Sequence, residues 1–354
     1  MFKNNWEETL DRFDRWWEDG SRLHLIVADV RRPAPVYSNI IEYSDPAVML
    51  SRHLDFLSAG AYCGDAIPDI SAYLGPGSLS TFVGAQPIYS DRTIWYRESG
   101  GSLDDVARRC REFLSSTHNG ESAGSHWYEW SLHATRFFAS EAGGRYVPSM
   151  PDLEQNLDIL SAVLGPEKIL MDMMDRPEDV IHVLELLYLV WERAFDSHLE
   201  LIGTHGGRSA FTHYNIIGKG STSVLQSDIS CMLSRDMFDE MEMPFLRKQA
   251  ERLDNVIYHL DGPGSTRHLD SILAIKKIAA VQWVPGTGQP GNSDSCWHSL
   301  YDKIVKADKG LYVWLHPWEI NGFRDRYGET RLMIRTLADD AEHQKRIVDD
   351  FMKA

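Results

Sequence analysis

The chain has 354 residues, 43% hydrophobic and 25% charged, the composition of a globular protein rather than a disordered or fibrous one. Its 36 lysines and arginines stand against 52 aspartates and glutamates, a formal net charge of −16. That balance argues against nucleic acid or an anionic membrane as partner, because phosphate binding needs concentrated positive charge.

The four cysteines, Cys63, Cys110, Cys231 and Cys296, show no CxxC spacing and read as free thiols in a reducing cytoplasm. The amino terminus is polar and lacks an apolar signal core, and no run approaches the ~20 apolar residues that span a bilayer. A cytoplasmic protein is expected.

In chain order, residues 4–19 predict an amphipathic helix, with Trp6, Leu10, Phe13 and Trp17 on one face. A strand follows over 24–30 and a helix over 46–59. Residues 64–100 carry turn residues and short strand signals, which predict an excursion with a hairpin. From residue 103 the pattern changes. Helices are expected at 103–116, 129–142, 153–164, 177–204, 235–253, 265–276, 295–307, 327–337 and 339–352. Strands are expected at 145–149, 168–173, 210–216, 225–231, 256–260, 279–284 and 310–315. Strands alternating with helices of this length predict a parallel sheet. About eight such units in one chain favour an α/β (β/α)8 TIM barrel with an N-terminal helical extension and the early excursion, one domain over 1–354.

The most informative run is Asn255 to Gly264, NVIYHLDGPG. Its apolar stretch reads as a buried strand that ends in a Gly-Pro-Gly turn. His259 and Asp261, two residues apart, point to the same face where the strand runs out. Carboxyl ends of parallel strands are where α/β proteins place their chemistry. Other candidates at strand ends are Asp228, Asp29 and the His213-Tyr214-Asn215 run. Trp95, Trp283, Trp314 and Trp318 are read either as core and rim packing or as an aromatic enclosure for an organic substrate, a quaternary amine being one candidate. Residues 286–291, GTGQPG, lack the Lys-Ser/Thr of a phosphate loop and predict a flexible loop over the mouth.

Several stretches resemble the uroporphyrinogen decarboxylase superfamily, which includes methylcobamide-dependent methyltransferases. They are residues 151–180, Ser227-Asp228-Ile229 with Leu233 to Phe238 and Met243-Pro244, the His259-Leu260-Asp261-Gly262 run, and Leu74-Gly75 with Thr93-Ile94-Trp95. The resemblance covers most of the chain from about residue 46 and implies a (β/α)8 barrel. In the methyltransferase branch a zinc is held by a His-x-Cys pair and a later Cys. Here Asp261 stands at the first Cys position, and His316 or Glu319 falls near the later one. The resemblance thus implies a divalent metal, zinc foremost, at His259, Asp261 and His316, in an oxygen-rich site unlike the family's thiolate one. Methyl transfer would then involve a separate corrinoid protein, since nothing in the chain resembles a cobalamin domain.

In the decarboxylase branch, which uses no metal, Asp65 lies near the position of the family's catalytic aspartate, and Arg31 and Arg32 near its carboxylate-binding arginines. Asp228, Asp65 and His259 are therefore the catalytic candidates, and Trp95, Tyr214, Trp283, Trp314, Arg31 and Arg32 the substrate-binding ones. The expected activity is that of a corrinoid-linked methyltransferase on a small organic molecule. The alternatives are a metal-free decarboxylase and a non-catalytic ligand-binding barrel, with homodimerisation left open.

Overall fold

The computed structural model describes residues 2–32, 45–90, 93–115, 126–203 and 206–353; the last residues expected of two helices, 116 and 204, lie outside these. In chain order the strands are β1 (His24–Val30), β2 (Asp69–Ile70), β3 (Gln86–Tyr89), β4 (Ile94–Arg97), β5 (Val147–Met150), β6 (Arg208–Phe211), β7 (Ile216–Lys219), β8 (Thr222–Leu225), β9 (Asn255–Asp261), β10 (Ile278–Val284), β11 (Gly310–Trp314) and β12 (Leu332–Ala338). Strands β1, β12, β11, β10, β9 and β8, in that order, form one parallel sheet. A second sheet runs β2, β5, β6 in parallel and ends on antiparallel β7. Strands β3 and β4 are the hairpin of the early excursion.

The two sheets are joined at both edges. The Asp65 N–H donates to Ile26 O at 3.1 Å, and Arg208 forms a bridge to Gly220 beside β8. The expected eight-stranded barrel is therefore seen as a curled, six-stranded parallel half-barrel with helices around it and a shorter sheet attached.

Both faces of the six-stranded sheet are covered, so its strands are apolar nearly throughout, as parallel strands must be. Leu25, Ile26, Val256, Ile257, Leu260 and Val281 are fully buried, and each such side chain contributes ~1.5–3 kcal/mol. Several elements depart from the sequence reading. Residues 332–338 form a strand where a helix was expected, because Leu332, Met333 and Ile334 are consecutive and leave no period-2 signature. Residues 168–173 lie in the helix Pro166–Asp175: Pro166 sits at its first turn, and Ile169 and Met173 bury one turn apart. Only Leu225 of the expected strand 225–231 is strand, and Asp228–Met232 is a 3-10 turn.

The N-terminal helix Trp6–Trp17 covers the amino ends of β1 and β12. The Trp16 indole donates to Leu332 O and that of Trp17 to Ile217 O, both at 2.8 Å. The carboxyl ends of the strands lie at the opposite end of the sheet. No helix among the described residues is long and apolar enough to cross a membrane.

Candidate functional site at the carboxyl ends of the strands

Parallel register lines up side chains of neighbouring strands. His259 of β9 pairs with Gln282 of β10, which pairs with Tyr312 of β11. All three face a cavity of ≈ 630 Å³, also lined by Asp152, Tyr214 and Trp314. One residue further along β9, β10 and β11 the pleat turns away. Trp283 is accordingly fully buried in the outer layer, edge-on to Trp297 with centroids 5.0 Å apart. The substrate-facing role expected of Trp283 is thus corrected: its neighbours Gln282 and Val284 line the cavity.

Asp228, His259 and Asp261 converge. One ligand atom from each lies within 4.8 Å of the others, and His259 Nε2 is 4.0 Å from Asp228 Oδ1. His259 Nδ1 is hydrogen-bonded to Gln282 Oε1. An amide oxygen only accepts, so Nδ1 donates to it and Nε2 is the nitrogen turned toward the two carboxylates. An ion held at ~2.0–2.2 Å from each donor requires the set to close by about an ångström. Asp228 is 47% exposed and has room to supply that movement. Partial desolvation and neighbouring Asp261 push the Asp228 carboxyl up, against the opposing pull of His259. One imidazole and two carboxylates suit a divalent ion, which would relieve that repulsion.

His316 does not join this group. It is exposed, stacked on Trp318 at 4.5 Å and edge-on to Trp314 at 5.1 Å, where it lines a neighbouring cavity. Asp228 takes the third place in the set instead.

Asp65 is placed elsewhere altogether. Its carboxylate has no exposure, forms an ion pair with Arg12 at 2.7 Å and accepts the Ile26 N–H at 2.8 Å. It clasps the N-terminal helix to the amino end of β1, so the catalytic role expected of it is replaced by a structural one. Trp95 is 64% exposed on the excursion hairpin and lines none of these cavities.

Arg31 and Arg32 line a third cavity of ≈ 540 Å³. Arg31 is exposed and 3.6 Å from Asp339, whereas the Arg32 guanidinium lies 3.7 Å over the Phe56 ring and donates to Tyr62 OH. Asp29, Tyr73, His213 and Arg335 line both this cavity and the central one. Arg335 donates to Asp29 at 2.6 Å and to His213 O, which fixes a cation between the two spaces.

Sequence reasoning missed a group of buried carboxylates. Asp152 faces the central cavity, and burial pushes its carboxyl up to about 8. Glu154 accepts from Gln226 Nε2 at 3.3 Å, and burial, with Asp158 and Asp152 beside it, pushes its carboxyl well above the usual range. Asp158 accepts the N–H groups of Asp228 and Ile229, both at 2.8 Å, and so holds the turn that carries Asp228. Glu154 and Asn156 adopt left-handed φ of 45° and 52°, and His213 and Asn215 do the same at 63° and 54°. Such backbone is costly for side-chain-bearing residues and gathers at functional sites. An acid beside a helix start is ordinary in sequence, so only this clustering of strain and buried charge marks the segment.

The chain matches no known family profile and no curated protein by sequence. By structure it is similar to a methyltransferase from Methanosarcina mazei, with a TM-score of 0.56 over 93% of this chain and 95% of that one. At 9% identity the likeness is one of fold, and the fold it shares is that of this methyltransferase.

Proposed function

We propose that this chain is an enzyme of the uroporphyrinogen decarboxylase superfamily that uses a divalent metal at Asp228, His259 and Asp261 to transfer a methyl group from or to a small organic substrate. The observation that carries the reading is the convergence of these three side chains, with Gln282 orienting the imidazole, beside a ≈ 630 Å³ cavity at the carboxyl ends of the strands. A metal there supplies Lewis acidity, polarising a substrate oxygen or other heteroatom. Lacking thiolates, the site favours an oxygen ligand over the thiol chemistry of the zinc–cysteine sites.

The chain's own residues have defined tasks around that centre. Gln282 accepts from Nδ1 and orients the ring, so that Nε2 is the nitrogen His259 would offer a metal. Tyr214 and Trp314 bound the substrate space. Asp152, held protonated at neutral pH by burial, keeps a proton at the cavity wall for a leaving or product oxygen. Methyl transfer through a corrinoid requires a second protein, which would approach over the same mouth.

Metal analysis of the purified chain tests the centre. We expect about one divalent ion per chain after zinc loading, lost in His259→Ala with the fold retained. A wild-type protein that takes up no zinc on titration sinks the reading. A lyase reading has its own support, because Asp152 and the fixed Arg335 cation face one cavity and suit protonation of a carbanion left by CO2. CO2 release that survives chelation would favour it.

A further inference from the structure

The cavities at the strand ends are sorted by charge. The ≈ 540 Å³ cavity beside β1 gathers Arg31, Arg32 and Arg335. On the far side of the central space, a ≈ 510 Å³ cavity lies between the 285–291 loop and the turn after β11. No lysine or arginine lines it; its ionisable groups are Asp261, Glu319 and His316. The acidity of the chain as a whole does not explain this, because the arginines are collected one cavity away. Trp314 lines both this space and the central one, so its indole stands between them. It is also 39% exposed at the end of a strand whose other residues are buried.

We propose that this cavity binds the head of a small organic cation, an alkylammonium group, and presents it beside the Asp228–His259–Asp261 centre. The proposal rests on reading this mouth as the active site and names the substrate class. The choice of an organic over a metal cation follows from the spacing of these groups: among the described residues Asp228, His259 and Asp261 bring ligand atoms together, and neither Glu319 nor His316 joins them. Glu319 is held instead on the turn after β11, where Oε1 accepts from Ser293 Oγ at 2.6 Å and Oε2 from the His316 N–H at 2.7 Å, and its charge remains. A tetraalkylammonium needs only that, a low-dielectric wall and an aromatic surface, with no ligand bonds. Charge also balances: a divalent ion offsets Asp228 and Asp261, and the Glu319 carboxylate is left to offset one ammonium. Its ≈ 510 Å³ leaves room for a ligand of several heavy atoms.

Choline and its uncharged isostere 3,3-dimethylbutan-1-ol separate charge recognition from apolar filling. Titrated calorimetrically into the full chain, choline should bind saturably and the isostere roughly tenfold more weakly or worse. Trp314→Ala should weaken choline by roughly tenfold, and Trp314→Phe by less. Glu319→Gln keeps the N3 capping group while removing its charge, and should weaken choline but not the isostere. Equal affinity for the two ligands overturns the proposal, as does a folded Trp314→Ala that binds choline like wild type. His259→Ala should lose zinc and keep choline. Zinc uptake without choline binding would thus remove this inference alone, and choline binding without zinc uptake would remove the metal reading alone.

Discussion

His259 has two ring nitrogens, and the strand register gives each a different neighbour. Parallel pairing of β9 with β10 sets Gln282 directly beside it, so Nδ1 is engaged by an amide oxygen and Nε2 is left facing Asp228. A rotating imidazole would offer its lone pair in many directions; the hydrogen bond removes that freedom before any ion arrives. Partners of this kind around a metal typically govern 10–100-fold in affinity. Gln282→Leu is close in size and accepts nothing. We expect zinc affinity to fall by ~10–100-fold with the far-UV spectrum and Tm nearly unchanged, measured by competition with a chromophoric chelator. Unaltered affinity would show that Gln282 does not orient the ring. The same logic explains Asp65, whose oxygens are spent on Arg12 and Ile26 and leave nothing for a substrate.

At the scale of elements, the segment from Pro151 to Asp158 works as a bracket. It leaves β5, takes left-handed turns at Glu154 and Asn156, and enters the helix Asn156–Leu164, where Asp158 reaches across to cap the 3-10 turn carrying Asp228. Asp158→Ala would leave two N–H groups without their acceptor, costing ~1–3 kcal/mol. It would also free Asp228 to drift, so zinc affinity should fall along with urea stability. A variant destabilised but unimpaired in zinc binding would uncouple the bracket from the site.

None of this bracket was legible in the sequence, because a cap joining residues 158 and 228 leaves no local signal. What was legible followed from local periodicity. The N-terminal helix, the excursion hairpin and the His259–Asp261 strand end came from spacing alone, since each has one polar and one apolar face or a turn at its end. Strand β12 did not, because burial on both sides erases alternation. Trp283 was misplaced for a related reason: a Trp at a strand end points to the mouth or away from it by one residue of register. The family resemblance places His316 at the metal, but the chain turns at Pro317 and stacks its ring on Trp318.

For the molecule as a whole, its buried ionisable groups set a pH dependence. Desolvation holds His53, His198 and His213 down to about 4, so each is neutral in the folded state but protonated in the unfolded chain below about pH 6.5. These histidines make stability rise with pH from about 4 to 6.5. Burial also raises Asp69 to about 6 and both Asp152 and Asp158 to about 8. A raised carboxyl is protonated when folded and ionised when unfolded, so it makes stability fall as pH rises from about 4 to its folded value. Below pH 6.5 the two trends largely offset. Above it the histidines no longer contribute, and Asp152 and Asp158, together with Glu154 and Glu242, whose carboxyls burial also raises, continue to lower stability toward pH 8, by at most about 1.4 kcal/mol per group per pH unit. With chelator present to keep metal from Asp228, Tm should therefore be ~2–5 °C lower at pH 8 than at pH 6.5. Asp152→Asn keeps an acceptor oxygen for the Glu154 N–H and never ionises, so it should lessen that decline. A Tm that holds level or rises across this interval in the wild-type chain would mean that Asp152 is already ionised when folded, and that the cavity wall holds no proton to give.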